Sequence, residues 1–540
     1  MHTRHRLALA MALLVAAGPA AAQPSTDLGQ RLYRSGVGVD GRPVEAVVQG
    51  DVSVNGTQLA CAGCHKRSGL GASEGGNRAL PVTAPVLFGG PAALPANLMP
   101  RRPAYDDATL AVAMTSGRAS DGRTLDPLMP RYRLSPADLA ALTDYLRTLG
   151  ARPAPGVGAD EIELATIVSD SAPARTREAV TAVVQQFASY KNGVTRREQE
   201  RADASRRHLY GERHARAFRR WHVSVWTLHG EPASWPAQLD ELYASRPPFA
   251  VISGATGPDW PVVDAFCERR ELPCVLPVTD LPRVGSGSFY NLYYSPGAIL
   301  DARVTASSLA QDRSAGERGV LVVHADDALG HAAFAALRDA WPPSGHGRLQ
   351  EVALPAGSQP STRYWEDLLT RTHPASLVAW VDRAALTALT RSRTDLLPTA
   401  VYTAASFTDW SQLQAPAEFE RRVVHVYPYS LPAAGLSQFP REQVWLKSQG
   451  LGGLETLPAA EALFACHAVG EAMLGLADNY SREYLMETLE HMLDGTSMTS
   501  LFPVTTLASG QRFLVKGAFV TRLASAGDGV RYVSGGWVQP

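Results

Sequence analysis

The chain is 540 residues long, 45% apolar and 19% charged, with a formal net charge of −1 from 51 basic and 52 acidic residues. That composition excludes a disordered or membrane-spanning chain, and the even charge balance gives no footing to nucleic acid. At about 150 residues per domain, the length calls for three or four cores.

The first 22 residues stand apart. Arg4 and Arg6 precede an apolar stretch over 7–17, and small residues follow to Ala20-Ala21-Ala22. A charged start, a short apolar run and an A-x-A site predict a secretory signal cut before Gln23, and hence a soluble protein in the periplasm. The apolar run is short for a stable membrane span, and no later run approaches 18 residues. Five cysteines occur: Cys61, Cys64, Cys267, Cys274 and Cys466.

Residues 23–150 are rich in Gly and Pro, with short helical patterns between loops. They contain Cys61-Ala62-Gly63-Cys64-His65. In C-x-x-C-H, two thiols spaced by two residues reach the vinyl groups of one porphyrin, and the adjacent imidazole lies under the iron. The rivals are a thiol redox pair, which wants a preceding strand that QLACAGCHKRSGLG does not supply, and half of a zinc site. The zinc reading needs more ligands, yet His65 is the only histidine in 23–150. One covalent haem c is therefore expected on Cys61, Cys64 and His65. With no second imidazole nearby, the sixth ligand is a methionine or none, from Met99, Met114 and Met129. Met114 sits in a helical apolar pattern and reads as core. Met99 and Met129 each precede a proline, which holds them in extended chain. Met129 has the better context, because SPADLAALTDYLRTL follows it. Ser135 is predicted as N-cap, Pro136 as first helical residue and Asp138 as an acidic first turn, with Leu139, Leu142, Tyr145, Leu146 and Leu149 on one face. Gly71-Ala72-Ser73-Glu74-Gly75 fits G-x-S-x-G, but no strand leads into it and no nucleophile is read there.

CxxCH near the start, a Met-Pro element and a closing amphipathic helix resemble the class I cytochromes c, over about residues 28–150. The resemblance implies an all-α domain, His65 and Met129 as axial ligands, and Cys61 and Cys64 as thioether anchors. It also implies one-electron transfer, with no vacant iron position for substrate chemistry.

Residues 151–159, beginning ARPAPGVG, read as a linker. Beyond it, strand-like runs at 162–168, 222–228, 249–253, 275–277, 319–324, 376–381, 399–403 and 422–427 alternate with helical patterns at 176–190, 260–270, 332–340, 364–372 and 458–479. That alternation predicts parallel α/β sheets, and the length predicts two lobes. The Arg-rich stretch 191–220 carries interleaved acids and reads as a solvated helical face; docking of an acidic redox partner is the other reading.

ELATIVSD, FAVISGATGPDWPVVDAFCERRELPCVLPVTDLP, GVLVVHADDALGHAAFAALRDA, ASLVAWVDRAALTAL and AEALFACHAVGEAMLGLAD resemble, in that order, the type I periplasmic binding proteins of the branched-chain amino-acid receptor group. The resemblance implies a two-lobed α/β domain over 160–540 with ligand held where strand C-termini face each other across a cleft. Ser253, Gly254, Ala255, Thr256, Thr279 and Asp280 in the first lobe, and Asp326 and Asp382 in the second, are the candidate contacts; each is equally the type of residue that caps a helix. An amino acid or small carboxylate is the expected ligand. Cys267 and Cys274 bracket a helix-strand joint and are expected to pair in an oxidising compartment, leaving Cys466 as a core thiol.

Taken together these readings predict a periplasmic electron-carrying cytochrome, not an enzyme. Its fused domain binds a small molecule or docks a redox partner such as a periplasmic dehydrogenase or terminal oxidase. A solute receptor of a transport or sensory system with an accessory haem is the alternative.

Overall fold

A computed structural model describes residues 25–90, 101–204, 219–283, 285, 287–311, 318–342, 347–355, 357–410, 413–431, 438–495, 499–526 and 529–540. The signal segment 1–22, Met99 and residues 205–218 of the Arg-rich stretch lie outside the described residues; 191–204 continue the helix Ala174–Ala204. The chain divides into two compact units, Met1–Arg152 and Pro153–Pro540.

In the first unit, helix Ser25–Ser35 packs across helix Pro136–Thr148. The crossing is close because Gly29 has no side chain: a Cβ there would stand 2.0 Å from the Ala141 carbonyl oxygen. The Tyr33 and Tyr145 rings meet beside it, 5.4 Å apart. Ser135 caps the second helix as expected, its hydroxyl accepting from Asp138 N at 3.1 Å. Asp138 returns the bond to Ser135 N and also accepts from Val39 N at 2.7 Å.

The expectation of an all-α first domain is corrected. Strands β1 (Glu45–Val48), β2 (Val52–Asn55) and β5 (Arg131–Arg133) form an antiparallel sheet in the order β2-β1-β5, and β3 (Ala72–Glu74) pairs with β4 (Asn77–Ala79) as a hairpin. The signal was present in EAVVQGDVSV. β-Branched residues flank a turn in which Gln49 and Gly50 both take positive φ, as tight hairpins require.

The second unit holds two sheets. The first contains β6 (Glu161–Ser169), β7 (Arg220–Leu228), β8 (Ala250–Ala255), β9 (Cys274–Val275) and β10 (Asn291–Leu292), all parallel in the order β10-β9-β8-β6-β7. The second orders β11 (Val320–Asp326), β12 (Leu349–Pro355), β13 (Ser376–Trp380), β14 (Ala400–Ala404), β15 (Val423–Tyr427), β16 (Ala518–Ala526) and β17 (Gly529–Val538) as β12-β11-β13-β14-β15-β16-β17. Its last two strands run antiparallel. Strands buried on both faces read as apolar runs, which is why the central ones were visible in the sequence. β12 was not, because LQEVALP is a largely uncovered edge strand whose short apolar run is broken by Gln350 and Glu351.

Helices Ala174–Ala204 and Thr456–Leu476 cover the first sheet and share its core. The second of these is the one helix among the described residues long and apolar enough to cross a membrane; most of it is buried against protein. Residues 154–158, expected as linker, are held to this unit. Ala154 N donates to Tyr480 O at 3.1 Å, and a Cβ on Gly156 would meet the Phe249 amide nitrogen at 2.2 Å.

Candidate functional site

Cys61–His65 forms a single helical turn. Lys66 at φ 62° ends it, and Gly69 and Gly71, both at positive φ, turn the chain back. Gly71 N bonds His65 O at 2.9 Å and Val82 N bonds Gly69 O at 2.7 Å, so the returning segment lies against the motif. This delivers the Leu80 carbonyl to His65 Nδ1 at 2.7 Å. A carbonyl only accepts, so the proton sits on Nδ1 and the Nε2 lone pair is free for a metal. Burial lowers the His65 pKa, which further favours the neutral ring.

Of the two thiols, Cys61 does not suit redox exchange. Burial pushes Cys61 up to about 11, with Tyr132 pulling weakly the other way, whereas a reactive thiol is shifted down. Nor do they suit zinc: among the described residues no further His, Cys, Asp or Glu closes on them. Around the motif, Leu32, Val44, Leu87, Met114, Tyr132 and Leu142 form a buried apolar core, and Cys61, Val82, Phe88 and Leu125 pack on it only partly covered. Two attachable sulfurs, a neutral imidazole with its lone pair available and uncovered apolar side chains fit a haem.

Met114 is buried, as its helical pattern implies. Met129 is half-buried in a turn where its amide bonds Asp126 O at 3.0 Å. The Arg131 guanidinium fixes that turn by donating to the carbonyls of Met129, Leu125 and Asp126 at 2.6, 2.9 and 3.2 Å. Gly117 makes room for it, since a Cβ there would strike the guanidinium.

In the second unit the candidate pocket residues fall in different environments. Ser253 lies in a bulge: β6 pairs Ala165 with Val251 and then Ile167 with Gly254, so β8 carries one extra residue. Ser253 takes φ 53° and Gly254 takes φ 139°, where a Cβ would stand 2.7 Å from the Trp260 ring. Ser253 and Thr256 are fully buried with hydroxyls that meet no partner, and Ala255 is buried between them. Buried unsatisfied hydroxyls are costly, and a left-handed serine at a strand end marks a stressed, specialised turn. Asp382 is the helix cap that was weighed against ligand contact, accepting from Ala385 N at 2.8 Å. Asp326 neither caps nor faces the other candidates; it pairs with His331, and Asp327 caps the following helix instead. Thr279 bonds Gly257 O at 3.1 Å and accepts from Leu281 N, closing its own turn.

Asp280 belongs to a group that sequence reasoning missed. The residue as a whole is exposed, yet protein crowds its carboxyl group. Burial raises its pKa to about 6, and the Ser406 hydroxyl pulls partly downward. Asp301 is 1% exposed and accepts from Ser406 N at 3.1 Å; burial raises it to about 7, with the Asp280 charge adding to the rise. Glu461 accepts from Tyr429 Oη at 3.1 Å, and burial followed by the Asp280 charge raises it to about 8. Asp280 and Glu461 come from the first sheet's side, and Asp301 and Ser406 pack with the second sheet's core, so this acidic group joins the two halves of the unit. The overlooked signals were an acid inside AILDARV and another inside the longest apolar helix.

Cys267 and Cys274 are disulfide-bonded, with Cα atoms 6.3 Å apart, and Cys466 is a buried free thiol.

A haem-type CxxCH domain and a two-sheet α/β unit with its acidic group between the sheets define the class: a cytochrome fused to a binding-protein fold. Residues 54–150 match the cytochrome c family. No curated protein matches the chain. Solved structures similar to it include a fatty acid ABC transporter substrate-binding protein from Thermomonospora curvata, at 13% identity and TM-score 0.53, covering 72% of this chain and 95% of that one. A leucine-binding protein from Thermotoga maritima aligns at 11% identity and TM-score 0.50, covering 70% and 99%. A solute-binding protein of Rhodopseudomonas palustris, solved with 3,4-dihydroxybenzoic acid, aligns at 14% and 0.50, covering 70% and 97%. The second unit therefore has the type I periplasmic-binding-protein fold of the branched-chain amino-acid and ABC substrate-binding group.

Proposed function

We propose that the protein is an exported one-electron carrier whose second unit binds a small molecule, and that it is not an enzyme. The observation that carries the reading is the 2.7 Å bond between His65 Nδ1 and Leu80 O, which presents a neutral imidazole lone pair beside two thioether-forming cysteines. Haem c supplies a metal centre that changes oxidation state by one electron. Cys61 and Cys64 would tether it, and His65 Nε2 and the Met129 thioether would hold its iron. Arg131 positions the methionine by gripping the backbone on both sides of it. A thioether ligand favours the reduced metal relative to a second imidazole.

In the second unit, carboxylates facing one another are relieved by a cation, so a ligand with an ammonium or similar donor suits Asp280, Asp301 and Glu461. The bulged end of β8, with the free hydroxyls of Ser253 and Thr256, suits its carboxylate. An amino acid satisfies both. Binding-protein folds close around ligand by hinge motion, so occupancy would signal to the redox unit or to a partner dehydrogenase or oxidase. The binding-protein neighbours are covered over nearly their whole length, which favours a solute receptor as the second reading.

Replacing Met129 by Ala tests the axial set. The low-spin spectrum should be lost, carbon monoxide should bind, and the potential should fall by on the order of 0.2 V, within the roughly 0.8 V range that axial ligands command. An unchanged spectrum would assign the sixth ligand elsewhere.

A further inference from the structure

Outside both sites, three side chains converge at the carboxyl end of β11. His324 projects from β11, His331 from the first turns of helix Ala328–Asp339 and Glu351 from the neighbouring edge strand β12; one donor atom from each lies within 4.8 Å of the others.

The hydrogen bonds constrain what stands between them. His324 Nδ1 lies 2.7 Å from the Ala325 carbonyl, which can only accept, so Nδ1 carries a proton. Its Nε2 lies 3.0 Å from Glu351 Oε1, and an ionised carboxylate is acceptor-only as well. A ring lone pair and a carboxylate oxygen at that separation are held together by a shared proton, on the ring or on the carboxyl, or by a metal ion. The His324 ring is wholly buried, so its position is fixed by packing. His331 repeats the pattern: it donates from Nε2 to Asp326 Oδ1 at 2.7 Å, leaving Nδ1 as a lone-pair donor held by an outer carboxylate. Among the described residues, the exposed pair His229–Asp170 has no third donor beside it.

Packing holds the buried ring in place. It stacks on Phe334 at 5.6 Å, and Gly330 leaves it room, since a Cβ there would stand 2.7 Å from Nδ1. Zinc bonds of about 2.0–2.1 Å to nitrogen and 2.0–2.2 Å to oxygen place tetrahedral ligands roughly 3.3 Å apart, close to the His324–Glu351 separation.

We propose that His324, His331 and Glu351 form a divalent-cation site of the zinc type, with Asp326 orienting His331. It clamps the edge strand and the helix to β11, and three protein ligands leave a fourth position for water or an exogenous donor.

The test is titration of the haem-loaded full chain with Zn²⁺ alone, followed calorimetrically, with zinc-edge X-ray absorption on the loaded protein. Wild type should bind one zinc here, with a nitrogen and oxygen shell at about 2.0–2.1 Å. H331A and E351Q, both at exposed positions, should each weaken binding at least ten-fold, and H229A should leave it unchanged. Absence of a zinc-binding step, sulfur in the zinc shell, or affinities of H331A and E351Q within two-fold of wild type would overturn the proposal and leave a proton between His324 and Glu351.

Discussion

The C-x-x-C-H turn and the acidic group of the second unit solve similar problems with opposite organisation. Cys61, Cys64 and His65 lie within five residues, and what the fold adds is one carbonyl, from Leu80, to choose the imidazole tautomer. Asp280, Asp301, Ser406 and Glu461 are scattered through the chain, and none carries information until two sheets bring them together. Desolvation acts on both sites. It keeps the Cys61 thiol neutral, and it keeps the buried acids protonated at pH values where they would ordinarily be charged. Local chemistry tolerates variation in the surrounding fold, whereas a site assembled over long range is only as good as the packing around it.

That contrast can be broken most severely at the motif. Cys61→Ser with Cys64→Ser should abolish covalent haem, read as loss of the haem spectrum after acid-acetone extraction, while the second unit still folds. All ten tryptophans lie at or beyond Trp221, so intrinsic fluorescence reports that unit alone. If fluorescence melts are disturbed as much as haem content, the two regions are not independent.

The acidic group should respond to pH instead. Asp301 and Glu461 have folded pKa values raised to about 7 and about 8, above the ordinary carboxylate range. The folded state therefore holds protons that the unfolded chain releases. This stabilisation is complete below about pH 4 and is lost as pH rises through 7 to 8, by on the order of a few kcal/mol. Fluorescence-monitored urea melts from pH 5 to 8.5 should show the decline, and Glu461→Gln should flatten it. A cationic ligand should bind more tightly over the same rise, because it replaces the protons.

Smaller effects sharpen the picture. Removing the Cys267–Cys274 bridge as a double serine variant should destabilise the second unit by about 2 kcal/mol, the loop-closure value for so short a ring. Thiol titration of the denatured, unreduced, haem-loaded protein should find one group, Cys466. Asp382→Ala should cost about 1 kcal/mol as a lost helix cap and leave ligand affinity within two-fold. A large affinity loss there would return Asp382 to the pocket.

Much was legible where chemistry or periodicity is local. The C-x-x-C-H spacing, the Ser135 cap with Pro136, and the apolar strands of both sheets were all readable, because neighbours in sequence determine them. The small antiparallel sheet of the first unit escaped because its strands are only three or four residues long, and β5 joins them from more than seventy residues away. At the strand ends, Asp382 and Asp326 looked alike in sequence. One became a cap, and the other became the partner of a histidine.

By itself the sequence determined a C-x-x-C-H turn of the kind that tethers a porphyrin at residues 61–65, and an alternation of strands and helices that builds two mainly parallel sheets. Vinyl spacing, hydrophobic period and turn chemistry act over a few residues. Only the tertiary structure decided which tautomer His65 adopts, that Ser253 bulges out of β8, and that Asp280, Asp301 and Glu461 share one poorly solvated space. Proton position, strain and carboxylate ionisation all depend on atoms that are near in space and remote along the chain.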